Sequence, residues 1–270
     1  MKKYAVVLSI AGSDSGGGAG IQADIKSISA NGGFACTAIT ALTAQNTQGV
    51  TDIFPVSIEH LKAQLDAVFS DIEIDAVKIG MLHSPEVITT VVESLKNYQP
   101  KHIVVDPVMV ATSGDRLLMD EAIESLKSEL LPLASLITPN LPEAEILFGS
   151  SIENITLSDL STKLGEKFGV NTYVKAGHLT SEELVDALYL HKDKKIALFS
   201  SQRIETNHTH GTGCSLSAAM ATYLAHGNDI ETSCKMAKQY LHEAIKSGKD
   251  YQLGKGNGPI DHFWNQRDAK

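Results

Sequence analysis

The sequence predicts an α/β fold built on a mostly parallel β-sheet. Three observations predict it. Short apolar runs rich in β-branched residues recur along the chain, amphipathic helical patterns separate many of them, and polar clusters follow several runs directly. Sheets of this kind hold ligands at the carboxyl ends of their strands, so the polar clusters are where chemistry is expected.

The first run spans residues 4–10. Met1-Lys2-Lys3 followed by an apolar stretch also resembles a short signal peptide. The stretch is barely long enough, and Asp14 and several glycines stand where a cleavage site would lie, so a first buried strand is the expectation. The next expected strands are 38–43, 76–79, 103–105, 135–138, 173–175 and 196–200. A helix after the first strand would bury Ile21, Ile25 and Ile28. Ile58, Leu61, Leu65, Val68 and Phe69 mark another, and Val87, Ile88, Val91, Val92 and Leu95 a third, with Pro85 at its first position. Leu160, Leu164 and Phe168 mark a fourth. Leu216, Met220, Tyr223 and Leu224 mark a fifth, which Gly227 would stop.

Composition narrows the function. Lys plus Arg number 23 and Asp plus Glu 32 in 270 residues, a formal charge of −9, which lacks the basic footprint of a nucleic-acid binder. Charged residues make up 20% and apolar residues 43%, which excludes disorder. No apolar run approaches the roughly 18–20 residues that span a bilayer. Cys36, Cys214 and Cys234 cannot build a disulfide framework, and no CxxC or Cys/His cluster has zinc spacing. A reducing, cytoplasmic compartment is expected. With no repeat or linker, residues 1–270 read as one domain.

The cluster from Gly12 to Gly20 joins a strand to a helix. Its glycines would let backbone approach a ligand closely, or would simply make a flexible turn. It is neither a P-loop nor a dinucleotide fingerprint. In the second cluster, Gly211-Thr212-Gly213 precedes Cys214 at the start of a helix. Consecutive N–H groups there form an anion cradle, and a helix N-terminus favours thiolate. Cys214 then reads either as a base for a substrate hydroxyl or as a small buried residue packing under the helix. Asp106 follows a strand and reads as a metal or phosphate ligand, or as the start of a turn before Pro107. Asn140 and Glu143 have capping-box spacing, and the same oxygens suit hydrated Mg²⁺. Lys175 would neutralise a nucleotide phosphate or stand solvated at a strand end. His208 and His210 read as loop residues. Together the clusters favour phosphoryl transfer over hydride transfer.

Longer motifs carry a resemblance. Ala11-Gly12-Ser13-Asp14, Gly17-Gly18-Ala19-Gly20-Ile21-Gln22-Ala23-Asp24, Ala41-Leu42-Thr43-Ala44-Gln45-Asn46-Thr47-Gln48-Gly49-Val50 and Lys78-Ile79-Gly80-Met81-Leu82 are followed by Asp106-Pro107-Val108-Met109. Then come Ile137-Thr138-Pro139-Asn140-Leu141-Pro142-Glu143-Ala144, His210-Gly211-Thr212-Gly213-Cys214 and Gly254-Lys255-Gly256-Asn257-Gly258-Pro259. In this order they resemble the bacterial hydroxymethylpyrimidine/phosphomethylpyrimidine kinases of thiamine biosynthesis.

The resemblance implies the ribokinase-like fold, a central mostly parallel sheet flanked by helices on both faces, and a homodimer. It implies ATP-dependent phosphorylation of 4-amino-5-hydroxymethyl-2-methylpyrimidine and then of its monophosphate, with Mg²⁺. By position, Gln45 would read the pyrimidine, with Gly12, Asp24, Met81 and Val108 completing its pocket. Gly211, Thr212, Gly213 and Cys214 would form the anion hole and base, although many relatives in the wider superfamily use Asp at the Cys214 position. Lys175, Asn140 and Glu143 would serve ATP, and Asp106 with Glu143 the metal. Ser15-Gly16 departs from the Pro-Ser of many members, and the extra glycine is expected to loosen the first loop. A pyridoxal kinase is the nearest rival. In those relatives Gln45-Asn46 looks more like Met-Asp, and a cysteine stands in the loop that here reads Val110-Ala111-Thr112-Ser113-Gly114. A non-catalytic pyrimidine-sensing module is the rival from another class.

Overall fold

A computed structural model describes residues 2–109, 118, 120–177 and 182–266. The loop quoted at 110–114 lies outside the described residues.

The first apolar run forms β1 (Ala5–Asp14), a strand in the body of the sheet. It is followed by α1 (Gly20–Ala30), β2 (Gly33–Asn46), β3 (Gly49–Pro55), α2 (Ile58–Asp71), β4 (Ala76–Ile79), α3 (Pro85–Tyr98) and β5 (His102–Val105). Then come α4 (Asp120–Ser125), β6 (Leu136–Ile137), α5 (Leu141–Phe148), α6 (Leu157–Phe168), β7 (Asn171–Val174), β8 (Glu183–Leu190), β9 (Lys195–Gln202), α7 (Thr212–Ala225) and α8 (Ile230–Gly248). All nine strands join one sheet in the order β3-β2-β1-β4-β5-β6-β7-β8-β9. From β2 through β7 the pairing is parallel, and β3, β8 and β9 pair antiparallel at the edges. The order reverses between β1 and β4, which is where ligands bind in open sheets.

Alternation along the central strands feeds two cores. Leu8, Ile10, Val77 and Ile79 face one layer, which holds α2, α3, α5 and α6. Val7, Ala76, Val104 and Tyr173 face the other, which holds α1, α7 and α8. Helix α7 is buried on nearly every side, with Ala218, Ala219, Met220 and Ala221 fully enclosed against α1, α8 and β1. Its small side chains bring it close to the sheet and set its N-terminus over the strand ends.

Two expectations need correction. Ile25 is 39% exposed, and the buried face of α1 instead carries Ile21, Asp24 and Ile28. The rotation brings Asp24 to a buried lysine, described below. The strand list also lacked β3 and β8, and the helix list lacked α4 and α8. Strand β3 has both faces open, and Asp186 interrupts the apolar run of β8.

Candidate active site

A cavity of about 650 Å³ opens at the carboxyl ends of the strands. At one end lie Gly12, Gln45, Met81 and Val108. Gly12 packs against Met81, whose terminal methyl would stand 2.6 Å from a Cβ placed there. Gln45 follows a register shift between Ala44 and Gln45 in the β2–β3 ladder. Its Oε1 accepts from Thr43 Oγ1 at 3.0 Å, and its Nε2 lies 3.4 Å from His210 Nε2. Ser15 Oγ donates to the Gln45 carbonyl and accepts from the Gln45 N–H, both at 2.8 Å.

The first glycine loop is tied down rather than loosened by Gly16. The Asp14 carboxylate accepts N–H groups from Gly16, Gly18 and Ala19 at 2.8–2.9 Å, and His210 Nε2 at 2.8 Å. Burial works to raise the Asp14 pKa, but His210 and the backbone donors outweigh it and leave the carboxyl below its usual range. His210 is therefore more than a loop residue: it clasps the first glycine loop to the second. Gly211 has φ +79°, and a Cβ there would collide with the Gly18 carbonyl, so only glycine closes this clasp.

Asp24 does not line the cavity. It is fully buried and receives Lys78 Nζ at 2.9 Å on both oxygens and Ser9 Oγ at 2.6 Å. Its position on the inner face of α1 aims it under the sheet, so its service to the pocket is to hold Lys78 in the floor. Burial opposes the Lys78 ammonium, yet Asp24 keeps its pKa above the ordinary lysine value.

The other end is built on α7. The first-turn N–H groups of a helix have no intrahelical partners; the Thr212 N–H turns back to the Thr209 carbonyl at 3.3 Å, and Thr212, Gly213 and Cys214 line the cavity. A Cβ at Gly213 would lie 3.4 Å from Lys175 Nζ and 3.5 Å from Asp106 Oδ2. Lys175 Nζ donates to Asp106 Oδ1 at 2.8 Å and stands 4.0 Å from Glu143 Oε2. Thr138 Oγ1 adds a bond to Asp106 at 3.2 Å. Burial pushes Asp106 up, but Lys175 and Lys78 prevail and hold it below the carboxylate range. Glu143 is raised to about 7, by burial first, with the Asp106 charge adding to it. Asn140 and Glu143 close a reciprocal capping box, at 2.9 and 2.8 Å, which fixes both side chains at the cavity wall.

This donor set fits a magnesium ion that brings its own water and phosphate ligands. One lysine faces two carboxylates, Asp106 at 2.8 Å and Glu143 at 4.0 Å, and a cation would relieve the buried acidic pair. Among the described residues no group of three acidic, histidine or cysteine side chains converges as a metal cage.

Cys214 reverses one expectation. Its thiol borders the cavity, but burial pushes its pKa up to about 11, and Asp24 and Asp106 add to that against the Lys78 charge. The resting group is a thiol: desolvation outweighs the Lys78 charge and the Gly20 N–H, which favour thiolate.

Beyond Lys175 the cavity continues along Gly177, Leu184, Asp186, Arg203 and His242. Asp186 is the joint of this region. It accepts from Tyr173 Oη at 2.7 Å, Lys238 Nζ at 2.6 Å and the Ala176 N–H at 2.8 Å. These lining residues escaped the sequence reading because β8 and α8 did. A lone acid inside an apolar strand was the available signal.

The family model described as phosphomethylpyrimidine kinase matches residues 14–261. The chain belongs to the phosphomethylpyrimidine kinase family. It is 48% identical to a hydroxymethylpyrimidine/phosphomethylpyrimidine kinase of Rhizobium meliloti, over 96% of this chain and 97% of that one. Among solved structures it is similar to the phosphomethylpyrimidine kinase of Clostridium difficile, at 45% identity and TM-score 0.77, covering 89% of this chain and 99% of the other. It is also similar to an ADP complex of Bacillus subtilis pyridoxal kinase, at 33% identity and TM-score 0.89, covering 98% of this chain and 100% of that one. Fold likeness alone therefore does not separate the two activities within this ribokinase-like architecture. Of the two positions that mark the pyridoxal relatives, only Gln45 lines the cavity. Asn46 is exposed, and its Oδ1 caps the turn by accepting the Gln48 N–H at 2.8 Å.

Proposed function

We propose that this protein is an ATP-dependent kinase, working as one domain over 1–270, that phosphorylates 4-amino-5-hydroxymethyl-2-methylpyrimidine and then its monophosphate to the diphosphate, in thiamine biosynthesis. One observation carries the reading: a single cavity runs from the Gln45 amide to the α7 N-terminus and Lys175. Pyrimidine kinases are the more identical relatives, and a solved relative holds ADP.

Each residue then has a task. The Gln45 amide offers donor and acceptor to the aminopyrimidine edge, between Gly12, Met81 and Val108. The substrate oxygen attacks the γ-phosphorus as the bond to the ADP oxygen breaks. The amides of Gly211 to Cys214 meet the charge on the migrating group, and Lys175 neutralises phosphate beside them. Cys214, once deprotonated, takes the hydroxyl proton. Asp106 and Glu143, with Asn140, would hold Mg²⁺, which when bound neutralises phosphate charge. Positioning and charge supply most of the rate.

Gln45→Met is expected to weaken pyrimidine use by about 1–3 kcal/mol, the worth of one or two lost hydrogen bonds. Steady-state kinetics on the hydroxymethylpyrimidine read it directly, and an unchanged kcat/KM would remove Gln45 from substrate recognition.

The chain is proposed to work in the cytoplasm, since its three cysteines are free. Among the described residues no helix is long and apolar enough to cross a membrane. It is also proposed to pair as a homodimer through the β3 edge. Phe54 is 67% exposed there and its cross-strand partner Leu42 46%, an apolar pair on one face that an edge strand rarely leaves open, while Ile53, 37% exposed, lies on the other face. Sedimentation should give twice the 28.9 kDa chain mass, and a monomer that Phe54→Asp does not alter would contradict the pairing.

A further inference from the structure

The Gly254-Lys255-Gly256-Asn257-Gly258-Pro259 segment lines no part of the cavity, so the reaction as described leaves it without a task. Its alternating glycines have a physical cause. A Cβ at Gly254 would strike the Thr47 side chain, one at Gly256 the Thr47 carbonyl, and one at Gly258 would stand 3.1 Å from the His208 ring. The strap is pressed against two loops at every second residue.

The contacts converge. The N–H groups of Lys255 and Gly256 donate to Thr47 Oγ1 at 3.2 and 3.1 Å. The Asn257 N–H donates to the Thr47 carbonyl at 2.9 Å, and the His210 N–H donates to the Gly258 carbonyl at 3.1 Å. Thr47 stands two residues beyond Gln45, and the His210 ring touches both the Gln45 amide and Asp14. The strap therefore reaches Gln45 through Thr47, in the turn that follows it, and reaches His210 through the backbone; the His210 Nε2 proton goes to Asp14, so its 3.4 Å approach to Gln45 Nε2 is packing and not a hydrogen bond. Its far end is fixed: the Asp261 N–H donates to the Ala244 carbonyl at 3.0 Å, Tyr240 Oη donates to the His262 carbonyl at 3.0 Å, and His262 Nε2 lies 2.9 Å from Ser215 Oγ, beside Cys214.

We propose that Thr47 is a positioning residue for the alcohol substrate: through its hydroxyl the C-terminal strap fixes the β2–β3 turn, and so the aim of the Gln45 amide toward the α7 phosphoryl site. The inference rests on the kinase reading above. Ser15 already exchanges two hydrogen bonds with the Gln45 backbone, but strand β3 is exposed and paired on one side only, so order in the turn just beyond Gln45 that the strap did not supply would fall to the substrate, at a cost in affinity.

Thr47→Val keeps the branched shape and deletes the acceptor. The wild type is first assayed on hydroxymethylpyrimidine and on pyridoxal, and the variants on whichever alcohol it phosphorylates. KM for that alcohol should rise about tenfold, while kcat and the KM for ATP stay within about twofold. Thr47→Ser should restore the wild-type value, and amide hydrogen exchange at 255–257 should quicken in the valine variant alone. Gly256→Ala, which strikes the same contact from the strap side, should give the same KM signature, and the double variant should be no worse than the weaker single one. An unchanged alcohol KM in both variants overturns the proposal. So does a parallel loss in kcat and ATP affinity with a lowered melting temperature, which would make Thr47 merely structural. A wild type that phosphorylates neither alcohol refutes the kinase reading itself, and this inference with it.

Discussion

Cys214→Ala is expected to lower kcat by about 10²–10⁴-fold, the usual worth of a positioned base, while pyrimidine affinity stays within about twofold. The geometry behind this is the placement of the thiol in the first turn of α7, at the wall shared by the substrate and phosphoryl ends of the cavity. The chemistry adds a pH signature. Burial raises the thiol to about 11, so at neutral pH the acting thiolate is a small fraction, and that fraction grows about tenfold per pH unit below the pKa. Turnover of the wild type should therefore climb through the alkaline range, and a serine at 214 should not reproduce the climb. Isothermal titration with the pyrimidine and a pH–rate profile check both halves. Unchanged turnover in the alanine variant would take the base role away from Cys214.

The second large effect is on stability. Lys78→Met should cost about 3–5 kcal/mol, because it strands the Asp24 carboxyl in a fully buried site with Ser9 as its remaining side-chain partner. Methionine fills similar volume, so the loss reports charge rather than a cavity. Adding Asp24→Asn should recover part of it, since the amide does not carry a buried charge. Urea unfolding measures both, and a single variant within 1 kcal/mol of wild type, on the order of an ordinary surface change, would show that the pair contributes nothing net.

The parallel body of the fold was legible because its strands are continuous apolar runs, and each polar cluster did fall at a strand end or helix start. Helix starts were legible for a local reason: Asn140 and Glu143 make the capping box that their spacing implies, and Pro85 takes the first position of α3. The β3 edge and the inner strand β8 were not legible. Strand β3 has exposed residues on both faces, and β8 carries Asp186 inside its apolar run, so neither shows a clean period.

In the site, the residues assigned by position gather in one cavity except Asp24, and the motif at 254–259 stays outside it as well. Asp24 shares a motif with the glycine loop, but its carboxylate is taken by Lys78 and Ser9 inside the fold, a pairing that residue order does not show. The thiol pKa was misjudged because a helix end is visible in sequence and desolvation is not. His210 and the C-terminal strap were missed as contacts because they depend on residues about 165 to 210 positions apart, such as Gln45 with His210 and Thr47 with Gly256.

The central claim is that one cavity holds a hydroxymethylpyrimidine by Gln45 while its alcohol meets ATP at the α7 turn. A coupled ADP-release assay of the purified chain with Mg·ATP, run on hydroxymethylpyrimidine, its monophosphate, pyridoxal and no acceptor, tests it most directly. The account predicts turnover on both pyrimidines, well above pyridoxal and above the blank. Turnover on pyridoxal far exceeding that on the pyrimidine, or silence in every arm, would contradict it.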